Sequence, residues 1–360
     1  MSLRVVQNLL EKVAEDDYRA SARSLTIQGN PLSATTVGRI VCREGEVLEQ
    51  ALFGAEATLA EQKQATGNPP ELLIISGDGS RYRTNEADKR SDTGKRRVPA
   101  ADKSTQEQDR GWRENKVGVV VRAARGHYEP DGRYKPSLEL LKTYVASTGT
   151  INVFGHMLHL EAQRRGERQA REVVFLSDNG HGLPEMRRRE FPKAHVVTDY
   201  YHVTERLYAC ALVIKGEGPA HEKERKKFWH GLKDRLWRGQ LTRLIALLTE
   251  QALQRAPRPE QLSALRDQPA AHILWTHVFY LEKYQQTMDY PAYRLRGWPI
   301  ASGTIESGCG QFGDRFKHSR MRWTRRIANA GHQIKAAILS EDGRWLRRWP
   351  PPIPVLTIPA

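Results

Sequence analysis

Cysteine is scarce in this chain. Among 360 residues there are three, Cys42, Cys210 and Cys309, far apart and without a CxxC pair. That argues against a disulfide framework or a cysteine-based zinc site, and it fits a reducing cytoplasm. Long apolar runs are missing too, with no stretch near the roughly eighteen residues a membrane-crossing helix needs. The N-terminal MSLRVVQNLLEKVAEDD is amphipathic and turns acidic, and it lacks the apolar centre and small-residue cleavage site of a secretion signal. His181 and His202 have no HxxxH partner, so a histidine-ligated hydrolase is not expected. Acidic residues are in deficit, 42 against 57 Lys and Arg, a net charge of +15. That balance favours a polyanionic partner, and nucleic acid first.

What is present falls into blocks. Residues 1–66 read as a helical N-terminal region, with Leu3, Val6, Leu9, Leu10 and Val13 at helical spacing. Between Asn30 and Leu52, Ser33 or Thr35 is placed to cap a helix whose apolar face is Val37, Ile40 and Val41. Gly45 stands where a turn separates that helix from another. The outline is a helix-turn-helix, which lays one helix in the DNA major groove. Residues 65–70, ATGNPP, read as a linker. The strand ELLIISGDGSRY follows, in which apolar Leu72–Ile75 leads to Asp78. A carboxylate beside the core is costly unless paired or metal-bound. The alternative is a Gly-Asp-Gly turn. Residues 83–114, with Lys95, Arg96 and Arg97, lack apolar spacing and read as a long mobile loop. Lys116–His127 is the next strand, Pro130-Asp131-Gly132 a turn, and Leu140–Ala146 holds a third strand. Thr150 caps an amphipathic helix reaching Arg165.

A strand–helix–strand unit comes next. Val173–Leu176 runs into Asp178, an Arg-rich helix follows, and Ala194–Val197 delivers Asp199 and His202. Ligands bind beyond the carboxyl ends of strands in open α/β sheets, so both acids are candidates. The competing reading is that Asp178 caps a turn and Asp199 a helix. The order β-β-β-α-β-α-β-α predicts an α/β, ribonuclease-H-like mixed sheet covered by helices. In that fold the first and fourth strands end side by side, which brings Asp78 to Asp178. Residues 71–202 form the first part of this domain, and 203–296 an all-helical insertion. There Trp275, Phe279, Tyr280 and Tyr284 make an aromatic stripe suited to core packing, with base stacking as the alternative. Residues 297–349 return to the domain with Glu306 on a helix weakened by Gly308, Gly310 and Gly313. Arg315, Lys317, Arg320, Arg322, Arg325 and Arg326, interleaved with Trp323, form a DNA-binding candidate. Residues 350–360 are a Pro-rich tail.

Four short motifs stand in order: ISGDGS with Asp78, LSDNG with Asp178, the D-x-x-H of Asp199 and His202, and GTIES…RFKHSRMRWT with Glu306. Together they resemble the DDE transposases of bacterial insertion sequences, of the ISKra type, which is similar to the Mutator-like superfamily. The resemblance spans roughly Leu72 to Trp349. It implies a DNA transposase that cleaves element ends and joins 3′-hydroxyls to target DNA with Mg²⁺ or Mn²⁺. Asp78, Asp178 and Glu306 are then the catalytic metal ligands, with Asp78 bridging two ions. Asp199 and His202 are accessory. Asp199 in place of Asp178 is the internal alternative. The implied partners are the terminal inverted repeats and target DNA, with no membrane and a homo-oligomer on DNA, in a bacterial, nucleoid-associated cytoplasmic setting. Two other readings stay open. One is a DNA-binding protein without catalysis, a truncated or domesticated transposase; the other is a ribonuclease-H-like nuclease that cuts without joining.

Overall fold

The computed structural model describes residues 3–16, 18–28, 31–53, 68–84, 112–136, 141–180, 182–317 and 322–349. The expected linker before residue 68, the basic loop around Lys95–Arg97, His181, Arg320 and the Pro-rich tail lie outside the described residues. The chain opens with helices α1 (Leu3–Val13), α2 (Tyr18–Ile27) and α3 (Ala34–Phe53). Strands β1 (Leu72–Arg83), β2 (Trp112–Ala123) and β5 (Leu141–Ser147) follow, with a two-residue hairpin pair β3 (His127–Tyr128) and β4 (Tyr134–Lys135) set apart. Next come α4 (Ile151–Arg164), β6 (Glu172–Ser177), α5 (Leu183–Glu190) and β7 (His195–Thr198). The main sheet has five strands in the order β5–β2–β1–β6–β7. The first three pair antiparallel, whereas β1–β6 and β6–β7 are parallel. The result is a mixed α/β sheet.

Strand alternation sends the β1 side chains to two cores. Leu72 and Ile74 join Val117, Val119, Val174 and Leu176 on one face. Leu73 and Ile75 meet Phe154, Leu158, Phe175 and Met186 under α4 and α5 on the other. A sheet buried on both faces needs unbroken apolar strands, which is why LLII and VVFL carry no alternation. The helices α6 (Tyr200–Lys215), α7 (Glu222–Trp237), α8 (Leu241–Leu253), α9 (Pro269–Tyr284) and α10 (Tyr290–Leu295) hold a separate core around Leu207, Leu232, Leu248 and Trp275. The chain then returns through α11 (Gly303–Phe316) and α12 (Arg325–Leu339), whose Phe312, Phe316 and Ala336 cover the first face of the sheet. It closes with α13 (Arg344–Arg348), where Arg344 reaches the fully buried Glu161 of α4 at 2.5 Å. Among the described residues no helix is long and apolar enough to cross a membrane.

The expected helix-turn-helix is not there. Residues 34–53 form one continuous helix, capped where Ser33 Oγ accepts the Thr36 N–H at 3.1 Å. Gly45 lies inside it because α3 presses on α12. A Cβ at position 45 would stand 2.4 Å from the Cα of Ala330. The glycine serves close helix contact, and sequence alone does not separate that use from a turn. On an exposed helix, Gly→Ala stabilises by about 1 kcal/mol. Gly45→Ala is expected to do the reverse and destabilise by roughly 1–3 kcal/mol through overpacking, read as a lower midpoint in thermal and urea unfolding.

Candidate active site

Two acids arrive at one place because two strands stop pairing. The parallel ladder of β1 with β6 ends at Ser76 and Leu176. Partners there differ by 100 residues, so Asp78 and Asp178 stand at the same level two residues past its end. They also share a face, since Asp78 continues the alternation of Leu72 and Ile74, and Asp178 that of Val174 and Leu176, all four in the same core. Both line a cleft of about 510 Å³ with Gly79, Arg81, Lys116 and Gly180. Asp78 sits inside β1, paired across the ladder with Val117, and is not a turn residue. Its Oδ1 accepts the Gly79 N–H at 2.6 Å. Burial pushes its carboxyl above the ordinary aspartate value, the Gly79 N–H and the Cys309 thiol pull it down, and the charge of Asp178 raises it further.

The Asp178 loop is held from outside the sheet. Asp178 Oδ1 accepts the Gly180 N–H at 2.7 Å, and a Cβ at 180 would meet both carboxylate oxygens at 2.9 Å. Asn179 adopts φ 59°, a left-handed conformation that asparagine tolerates better than most residues. Its Nδ2 donates to Thr198 Oγ1 at 2.8 Å. The Thr287 hydroxyl donates to the Tyr284 carbonyl at 2.7 Å and lies 2.6 Å from Thr198 Oγ1, so Thr198 donates to Thr287. Tyr280 donates to the carbonyl of Asp178 at 2.9 Å. The helical block thereby fixes the loop that carries an acid. The aromatic stripe is mainly core, as Trp275 shows, but Tyr280 adds this second task.

Asp199 occupies a different position. It is fully buried and caps α6, with Oδ1 accepting the N–H groups of Tyr201 (2.7 Å) and His202 (3.1 Å). Its Oδ2 accepts the Ser302 N–H at 2.5 Å, which ties the start of α6 to the entry of α11. It does not line the cleft, and its two oxygens are spent on backbone donors, so the geometry favours Asp178 over Asp199 beside Asp78. His202 is half-buried, lies 3.3 Å from Glu205, and is near enough to Asp78 for its protonated form to lower that carboxyl.

Glu306 falls in α11, three residues before Cys309, and its side chain lies outside the described residues. Among the described residues no group of three His, Cys, Asp or Glu forms a metal-binding cluster. The basic C-terminal cluster divides. Arg315 is buried, donates to the Val13 carbonyl at 2.6 Å and packs over the buried Trp323 ring. These two residues hold the core and are not presented to a DNA strand. Lys317, Arg322, Arg325 and Arg326 are exposed, Arg326 against Glu46 at 2.8 Å. Sequence reasoning misses Cys309, Tyr280 and Thr287. Only Cys309 carries a signal, its helical spacing from Glu306.

No family model and no curated protein matches the chain. Among solved structures it is similar to the Drosophila P element transposase strand transfer complex, at 10% identity and a TM-score of 0.39, over 96% of this chain and 93% of that one. A likeness so distant carries no weight for chemistry, which rests on the geometry above. Tyr280→Phe removes one donor to the acid loop. It is expected to cost about 1 kcal/mol of global stability while hydrogen exchange at Asn179 and Gly180 accelerates more than in the sheet; mass-spectrometric exchange reads both.

Proposed function

We propose that this chain is a DNA-cutting and DNA-joining enzyme of the DDE transposase kind, built on a ribonuclease-H-like core. The observation that carries the reading is the meeting of Asp78 and Asp178 at one level, one face and one cleft at the end of the β1–β6 pair. The four sequence motifs in order support it. Asp78, Asp178 and Glu306 would hold Mg²⁺ or Mn²⁺. The donors fit a hard cation, which prefers carboxylate oxygens and keeps several waters. The raised Asp78 carboxyl fits as well, because a partly buried acid beside another acid is costly without a counter-charge. When bound, such ions activate a water or 3′-hydroxyl and stabilise the leaving oxygen.

The chain's own residues prepare the site. The Gly79 and Gly180 N–H groups fix one oxygen of each aspartate and so orient both carboxylates. Glu306 joins through α11: Cys309 meets Asp78, and positions three apart on a helix are neighbours. Asp199 positions α6 and α11 relative to each other, and His202 stands near enough to Asp78 to offset its charge when protonated. The partners are the ends of a mobile element and target DNA, engaged by a homo-oligomer.

Asp78→Asn and Asp178→Asn are expected to abolish divalent-dependent cleavage and joining of labelled duplexes taken from the DNA flanking the reading frame, with DNA binding kept. Near-normal joining by either variant would falsify the assignment. The pH dependence has a definite sign. A carboxyl raised in the folded state binds its proton more tightly there, so stability falls as pH rises from the ordinary aspartate value through the raised one. In EDTA, Asp78→Asn therefore melts higher than wild type at neutral pH, and the gap closes below the ordinary aspartate value.

A further inference from the structure

Past the acids, β1 and β2 leave the sheet together. β2 pairs with β5 only as far as Lys116, and β1 pairs with β6 only as far as Ser76. Beyond those points Gly79–Arg83 and Trp112–Asn115 continue as a two-stranded ribbon. Alternation gives the ribbon two unlike faces. Tyr82 and Asn115 are buried, and Asn115 Nδ2 lies 2.8 Å from His332 Nε2 on α12. The other face carries Arg81 opposite Glu114, and Arg83 opposite Trp112. Arg81, Arg83 and Glu114 are exposed, and the Trp112 indole is half-buried with the Arg83 guanidinium 5.5 Å over its ring. Trp112 and Arg81 line the cleft that holds Asp78 and Asp178, as does the buried Lys116, whose Nζ is held by Glu114 at 3.1 Å and donates to the Gly149 carbonyl at 3.3 Å. A ribbon without outer strands needs an anchor. Here the Trp323 backbone N–H donates to Arg83 O at 2.9 Å, and Thr84 Oγ1 donates to Trp323 O at 2.8 Å.

We propose that this ribbon face is the track for an unpaired stretch of nucleic-acid strand, with a base stacked on Trp112 and phosphates held by Arg81 and Arg83. The proposal rests on the DNA-processing reading of the cleft, and it adds that the strand entering is single. Three observations favour that occupant. Glu114 is paired with the buried Lys116, and the exposed Arg81 and Arg83 leave this face positive, so it complements a phosphate chain. An aromatic ring interleaved with them is the usual platform for an unpaired base. From Lys116 to Trp112 the ribbon runs roughly 14 Å at about 3.4 Å per residue, room for a few nucleotides along the wall of the cleft that both acids line.

Fluorescence anisotropy of the full chain in EDTA tests this, with a labelled single-stranded oligonucleotide and its duplex as probes. Trp112→Ala is expected to weaken single-strand binding about tenfold or more, and Trp112→Phe to keep most of it. Arg81→Gln is expected to lower the logarithmic salt slope by about 0.7 for the single strand. Photocrosslinking of 5-iodouracil oligonucleotides should land on Trp112, a readout that stands even if Trp112→Ala folds poorly. Unchanged affinity in a well-folded Trp112→Ala, no crosslink at Trp112, or binding confined to duplex overturns the track. Asp78→Asn separates the two ideas. Lost cleavage in that variant with unaffected binding in Trp112→Ala leaves the metal site and removes the track, and the opposite pair of results does the reverse.

Discussion

The parallel pairing of β1 with β6, and the point where it stops, governs the rest of this structure. Because β6 ends at Ser177 while β1 runs on to Arg83, one edge of β1 is uncovered past Ser76. A carboxylate placed inside a continuous sheet would face only apolar neighbours, at a desolvation cost few folds tolerate. At this edge Asp78 keeps backbone hydrogen bonding on its β2 side and gains a polar cleft on the other. The register then delivers Asp178 to the same level. One ladder thus sets the spacing of the acids and the mouth of the cleft.

The other elements constrain that edge. The helical block has its own core and reaches the acid loop through Tyr280, Thr287 and the hydroxyl of Thr198. The return through α11 and α12 covers the first face of the sheet, and the buried Arg315–Trp323 contact secures the far end of β1. The N-terminal helices press on α12 through Gly45 and Ala330. Gly45, Arg315 and Trp323, which look like parts of DNA-binding elements in the sequence, are therefore employed in holding the frame.

Much of the fold was legible from the residues. The runs LLII and VVFL mark strands buried on both faces, and the Thr150 cap marks α4, because burial and capping are local consequences of side-chain type. The candidate acids Asp78 and Asp178 stood out as carboxylates next to such runs. What stayed hidden depends on partners distant in sequence. Gly45 reads as a turn until Ala330 is known to lie against it. Arg315 reads as a phosphate contact until the Val13 carbonyl appears beside it. Asp199 is open to reading as a helix cap, which it is, but its tie to the Ser302 N–H cannot be read from the sequence. The second strand begins at Trp112 and not at Lys116, since its polar first residues pair in a ribbon that no apolar pattern announces.

The central claim is that Asp78 and Asp178 hold one divalent site together. Mn²⁺ titration followed by electron paramagnetic resonance measures this without DNA or turnover. Saturable Mn²⁺ binding by the wild-type chain that is lost in both Asp78→Asn and Asp178→Asn, with both variants still folded, is the predicted result. Mn²⁺ affinity unchanged in either variant contradicts it.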